Sequence, residues 1–232
     1  MAISKKMECH EDLKARILKM DLEPGAELDE TQVSRAYGLS RTPLREVLQA
    51  LAGEGFVRLQ RNRGASVASM EVETLRALMR SAPLVLVNVA RLAADDRSAA
   101  HLDVLTERQA ALVASLETGD AAAAALADHG FHLGLGEAAG DPYLMPALRR
   151  ILVDQTRLSQ GFFGPSGKKE KKLVKKALAT HDALVAAVMA QDAVAAAEAA
   201  LARWALTRER LERLVTPAAL PVDVTVSEGE TA

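Results

Sequence analysis

The sequence predicts a mainly α-helical protein, an N-terminal winged helix-turn-helix followed by an antiparallel bundle of about six helices. Three observations predict it. Hydrophobic residues make up 49% of the 232 residues but aromatics only 3%, so the core draws on Ala, Leu and Val, and Ala and Leu lead the helix-forming scale. From residue 71 to 215 apolar residues recur at helical spacing and no strand pattern competes. Before that, two short helical patterns joined by a Gly-containing turn precede an alternating segment with a basic turn, the order of a winged module.

Leu13, Ile17 and Leu18 recur at helical spacing between residues 11 and 20, and Glu23-Pro24-Gly25 closes that first helix with turn chemistry. Asp29 followed by Gln32 resembles a capping box that opens a second helix through Val33 and Ala36, ending at Tyr37-Gly38. Gly38-Leu39-Ser40 is the turn. Ser40 or Thr42 can cap the third helix, where Pro43 sits in a first turn that needs no amide. Leu44, Val47, Leu48 and Leu51 then form one apolar stripe, with Arg41, Thr42, Arg45 and Gln49 largely on the other side. Phe56 to Gln60 alternates as a strand, Arg61-Asn62-Arg63-Gly64 is a basic turn, and Ala65-Ser66-Val67 returns as a hairpin wing.

In the bundle, breaks at Asp95-Asp96, Gly119-Asp120, Gly140-Asp141-Pro142 and Gly161 to Gly167 separate the helices. The Ala-rich run 193–200 indicates close helix packing. The division expected is 8–70 for the winged module, 71–215 for the helical domain and 216–232 for a flexible tail rich in Pro, Ser and Glu. Lys168-Lys169-Glu170-Lys171-Lys172 reads as a solvated helix start rather than a nucleic-acid site.

Charge separates the two modules. The formal net charge is -2, yet residues 35–63 hold six arginines against Glu46 and Glu54, a local +4 that leaves about -6 for the rest. A basic segment in an acidic chain is the footprint of one module meeting phosphate. The single cysteine, Cys9, excludes an internal disulfide, and no uninterrupted apolar run reaches the roughly 18 residues of a membrane span. With no signal-peptide pattern at the N-terminus, a soluble cytoplasmic protein with no membrane partner is expected.

Residues 13–67 resemble the DNA-binding domain of GntR-type bacterial regulators. The resemblance rests on Leu22-Glu23-Pro24-Gly25, Leu39-Ser40-Arg41-Thr42-Pro43-Leu44-Arg45-Glu46, Leu51-Ala52-Gly53-Glu54-Gly55-Phe56 and Arg63-Gly64. It implies operator contacts by Ser40, Arg41, Thr42 and Arg45 at the start of the recognition helix, and by Arg61, Arg63 and Gly64 at the wing tip. Thr31 stands where family members often carry an arginine, which removes one contact and alters operator preference.

In the helical domain Asp128 and His132 lie four apart on one helical face and His181 about fifty residues later, a carboxylate and two imidazoles that can build a metal site in a bundle. Asp128-His129-Gly130-Phe131-His132, Ala139-Gly140-Asp141-Pro142-Tyr143-Leu144 and His181-Asp182-Ala183-Leu184 resemble the FCD ligand-binding domain of the FadR branch of these regulators. The resemblance implies a divalent metal (Zn, Ni or Mn) on Asp128, His132 and His181, a carboxylate effector and a homodimer. The fourth ligand position falls on Arg203, next to Trp204, and no histidine follows His181. Two arrangements stay open: a three-ligand metal site completed by water or effector, and a metal-free acid pocket using the Arg203 fork. Arg80 and Asn88 are further candidates for the pocket wall, although Pro83 and Leu84 depart there from the family's acidic pattern.

The expected function is therefore a ligand-responsive transcriptional regulator that binds operator DNA and a small carboxylate. The alternative is a metal-dependent helical enzyme using Asp128, His132 and His181. It lacks a catalytic base, since His129 projects about 100° away from Asp128 on the helix. A DNA-binding protein whose helical domain only dimerises is a third possibility.

Overall fold

The computed structural model of the chain describes residues 4–61, 64–164 and 167–215. Arg63 and the expected tail 216–232 lie outside the described residues, as do the side chains of Lys168, Lys169 and Glu170. α1 (Lys5–Leu18) is capped by Ser4, whose hydroxyl accepts the Met7 amide. It begins ahead of the expected residue 11 because buried Cys9 extends the Leu13–Ile17 stripe by one turn. It stops short of residue 20, where Met20 takes a left-handed φ of 64°.

β1 (Glu27–Leu28) leads into α2 (Glu30–Tyr37), which starts where the Asp29 carboxylate accepts the Thr31 and Gln32 amides. Gly38 ends α2 at φ 60°, a conformation that costs a residue with a Cβ about 1–2 kcal/mol. α3 (Arg41–Gly53) buries the expected stripe Leu44, Val47, Leu48 and Leu51. β2 (Val57–Gln60) and β3 (Gly64–Val67) form the antiparallel wing with Val57 opposite Val67. β1 joins the other edge of β3, Glu27 opposite Ser66, giving the order β1-β3-β2. The hairpin was legible in the sequence; a two-residue strand is too short to display a period.

The bundle comprises α4 (Val72–Asp96), α5 (Ala99–Glu117), α6 (Ala121–Ala139), α7 (Leu144–Phe163), α8 (Lys168–Ala190) and α9 (Ala193–Val215). Ser98 and Asp120 cap α5 and α6, and Asp141 accepts the Tyr143 and Leu144 amides ahead of α7. The α8–α9 reversal was not foreseen. Gln191 ends α8 at φ 54° and the Asp192 carboxylate caps α9 through the Val194 and Ala195 amides, within a sequence that favours helix on both sides.

By length and composition α4 could cross a bilayer, but it is a core helix, burying Leu75, Leu78, Ala82, Leu86, Val89, Ala90, Ala93 and Ala94. α7 is buried on two sides. Leu148, Ile151 and Leu152 belong to the bundle core, whereas Val153 belongs to the core of the winged module with Leu13, Ile17, Leu44 and Leu51. Four successive polar residues of α7, Asp154, Gln155, Thr156 and Arg157, are consequently buried. Arg157 donates through Nη1 to the Ala68 carbonyl at 2.6 Å and through Nη2 to Asp154, which also receives Arg150 Nη1 at 2.8 Å. Gln160 Nε2 donates to the Leu18 carbonyl at 2.9 Å. The Arg150 side chain lies over Gly55, at φ 85°, where an added Cβ would collide with it. These contacts fasten the winged module to the bundle.

Candidate functional site

The first region is the basic end of α3. Burying Leu44, Val47, Leu48 and Leu51 turns the opposite face outward, so Arg41, Thr42 and Arg45 are exposed together with the cap residue Ser40. The Ser40 side chain makes no capping hydrogen bond, leaving its hydroxyl available. Arg41 and Arg45 have no ion-pair partner among the described residues. A groove between α3 and the wing is lined by Glu30, Arg45, Leu48, Gln49, Leu59, Gln60 and Gly64. Arg61 and Gly64 are exposed at the wing, with Gly64 at φ 74°; Arg63 is outside the described residues. Exposed donors at a helix N-terminus beside a basic wing suit phosphates and base edges.

The second region lies inside the bundle. Asp128 and His132 stand one turn apart on α6, and His181 faces them from α8; all three are buried. One donor atom from each lies within 4.8 Å of the others, a donor set suited to a divalent metal. α9 sends Arg203 into the same cluster. Its Nη2 donates to the two Asp128 oxygens at 3.1 and 3.3 Å, its Nε to His181 Nε2 at 3.2 Å and its Nη1 to Thr207 Oγ1 at 3.0 Å. Phe162 lies 5.5 Å from the guanidinium carbon and Phe131 stacks on His181 with centroids 4.3 Å apart.

These contacts set the protonation states. Arg203 Nε donates to His181 Nε2, which also lies 3.1 Å from Asp128 Oδ1; from the Arg203 bond we assign the imidazole proton to Nδ1, 3.3 Å from Gln109 Oε1. Burial alone would raise the Asp128 pKa, but the Arg203 charge holds its carboxyl well below the usual range. Burial pushes His132 down to about 3 against the pull of Asp128, and lowers His181 as well. The cluster is one carboxylate, one guanidinium and two neutral imidazoles, with no net charge.

A divalent ion does not fit beside Arg203 as it stands. Bound about 2.0–2.2 Å from Asp128 Oδ1, it would lie within about 5 Å of Nη2, which is 3.1 Å from that same oxygen. At an effective dielectric near 20, charges of +2 and +1 about 5 Å apart repel by about 7 kcal/mol. The Asp128 oxygen and the His181 lone pair are also already engaged by the guanidinium.

Against this cluster lies a small cavity of about 10 Å³, room for about one water. Leu86, Val89, Leu135, Leu148, Leu184 and Trp204 form apolar walls, and His132, Gln155, Arg203 and Thr207 are polar. His132 Nε2 and Gln155 Oε1 are buried with no hydrogen-bond partner. An unsatisfied buried polar atom costs about 1–3 kcal/mol, so both call for a hydrogen-bonding partner in the cavity.

Arg203 lines the cavity, but Arg80 and Asn88 do not. Both are exposed, and Asn88 Nδ2 donates to the Leu84 carbonyl at 2.7 Å. α4 turns Leu86, Val89 and Ala90 inward, and the helical phase carries Arg80 and Asn88 away from that wall. Gln155, Thr207 and Gln109 were missed. Thr207 could have been found from its position four residues after Arg203; nothing near Gln155 or Gln109 marks them in the sequence.

The comparisons with known proteins agree with both regions. Residues 6–67 match the family of bacterial regulatory proteins, gntR family, and residues 84–205 match the FCD domain. The HTH-type transcriptional regulator LutR of Bacillus subtilis is 26% identical over 204 residues, 78% of this chain and 90% of LutR. The Nta operon transcriptional regulator of Aminobacter aminovorans is 28% identical over 130 residues, 55% of this chain and 60% of that protein. Among solved structures, E. coli McbR/YncC superposes with a TM-score of 0.74 at 19% identity, covering 92% of this chain and 98% of that one. A GntR regulator from Rhodococcus sp. RHA1 gives 0.67 at 18% identity, covering 92% and 98%. With one family description on the exposed basic helix and wing and the other on the bundle around the buried cluster, the chain belongs to the GntR family of bacterial regulatory proteins, in its FCD-containing form, and is a transcriptional regulator rather than an enzyme.

Proposed function

We propose that the protein is a homodimeric, cytoplasmic regulator that binds operator DNA through α3 and the wing and releases or tightens that grip when a small carboxylate metabolite enters the bundle cavity. One observation carries the ligand response: α7 places Gln155 on the cavity wall while its neighbours Val153 and Arg157 hold the winged module. The cavity holds about one water, so a metabolite enters only by parting the helices that line it, and α7 is one of them. The carboxylate class is supported by Arg203, which lines the cavity and keeps N–H groups beyond those given to Asp128, His181 and Thr207. Dimerisation is supported by the exposed Leu84, Val194 and Leu201 on α4 and α9, which pack on each other, and by the two-fold symmetry of palindromic operators.

A second reading places a divalent metal on Asp128, His132 and His181. The unpartnered His132 Nε2 favours it, and it requires Arg203 to leave its present position.

The test is retardation of a DNA fragment from the regulator's own upstream region, with a panel of small acids screened by thermal shift. Retardation by wild type, lost in Arg41→Ala/Arg45→Ala and altered by an acid that also raises the melting temperature, supports the proposal. Retardation indifferent to every cavity-binding acid, including one that shifts the melting temperature, overturns the ligand response.

A further inference from the structure

We propose that Arg203 is a built-in cation standing in the place of a metal, so that the bundle site is complete without one. This deepens the effector-site proposal by naming what holds the site together, and rests on that reading only for the ligand's identity.

Every nitrogen of the guanidinium has a protein partner: Asp128 for Nη2, His181 for Nε and Thr207 for Nη1. The Asp128 carboxylate is neutralised, and the lone pair of His181 that would bind a metal is taken. Phe162 covers the cation, and Gln109 holds the far side of His181 while bonding Asp182 at 2.7 Å. Of the three metal-type donors only His132 Nε2 is left without a hydrogen-bond partner among the described residues, 3.8 Å from Asp128 Oδ1, and His132 lines the cavity with Gln155.

The substitution changes how a ligand is recognised. Asp128 with a divalent ion would present a net positive charge, whereas Asp128 with Arg203 presents none. Affinity then comes from directed hydrogen bonds to His132, Gln155 and the remaining guanidinium N–H groups, with Leu135 and Trp204 against an apolar body. The ligand class that fits is a compact molecule with one hydrogen-bonding head and an apolar remainder, held without any metal bridge.

The experiment uses the full-length wild-type protein, purified without chelator or metal-affinity resin, with metal content measured by mass spectrometry and zinc alone as the titrant. We expect substoichiometric metal, and a melting temperature unchanged by chelator or by excess zinc. Arg203→His, which restores an imidazole at that position, should retain one zinc per chain with a zinc-dependent rise in melting temperature. Its zinc affinity should exceed that of wild type by at least about tenfold. One chelator-sensitive metal per wild-type chain, or zinc stabilisation of the wild type, overturns the proposal and needs no variant to fold. Neither readout involves DNA or acid, so failure here is separable from failure of the effector reading.

Discussion

Replacing Asp154 by alanine should destabilise the protein far more than loss of a surface ion pair. Asp154 is 3% exposed and Arg157 2%, and the carboxylate is the only anion that Arg157 touches among the described residues. Removing it leaves a buried guanidinium with the Ala68 carbonyl as its remaining partner, since Arg157 Nε has none. Burial already lowers the Arg157 pKa, with Asp154 acting in the opposite direction. Breaking one side of a buried pair costs about 3–5 kcal/mol. At about 2–4 °C per kcal/mol for a chain of this size, the melting temperature should fall by roughly 6–20 °C.

Asp154→Leu/Arg157→Met removes both charges and should recover most of that loss, because well-packed apolar replacements of buried pairs are often neutral. Thermal unfolding by circular dichroism measures both, and the single variants Asp154→Leu and Arg157→Met complete a double-mutant cycle. A cost for Asp154→Ala below about 1 kcal/mol, the range of exposed pairs, would refute the view that α7 fastens the two modules through a desolvated pair. The double variant should bind operator but respond less to ligand, because the fastening is then apolar and less directional.

Three further outcomes are expected. Arg45→Ala should weaken operator binding by about 1–3 kcal/mol if Arg45 contacts a base, or mainly flatten the salt dependence if it contacts phosphate; titrations at two salt concentrations distinguish these, and no change removes α3 as the reader. Stability should fall as pH drops below about 6.5, because the unfolded chain protonates histidines that the folded chain keeps neutral, His129 near 4 and His132 near 3. Asp128, whose folded pKa is also depressed, adds to that loss below about 4; a flat melting temperature from pH 7 to 4.5 would contradict the burial of these groups. Light scattering at micromolar concentration should give twice the 24.8 kDa chain mass, and a monomer with and without DNA would count against the dimer.

Much of the fold was written locally. Asp29 and Gly38 bracket α2, the Leu44, Val47, Leu48 and Leu51 stripe orients α3, and Gly119-Asp120 and Gly140-Asp141 divide the bundle, because caps, turns and helical periods involve residues within a few positions of each other. The outward placement of Arg41, Thr42 and Arg45 follows from that stripe alone. Asp128 and His132 were likewise legible as neighbours one turn apart, and His181 and Arg203 joined them through family resemblance rather than through any local rule.

What the tertiary structure decided is which polar residues lie inside. Asp154-Gln155-Thr156-Arg157 reads in one dimension as a solvated stretch, yet α7 is enclosed by the bundle on one side and the winged module on the other, and all four are buried. Arg80 and Asn88 went the other way, outward, since only the packing of α4 fixes which of its faces meets the cavity. Whether Arg203 bridges Asp128, 75 residues away, or faces solvent depends on how α6, α8 and α9 meet, and burial energies and ion pairs across such separations exist only once the chain has closed on itself.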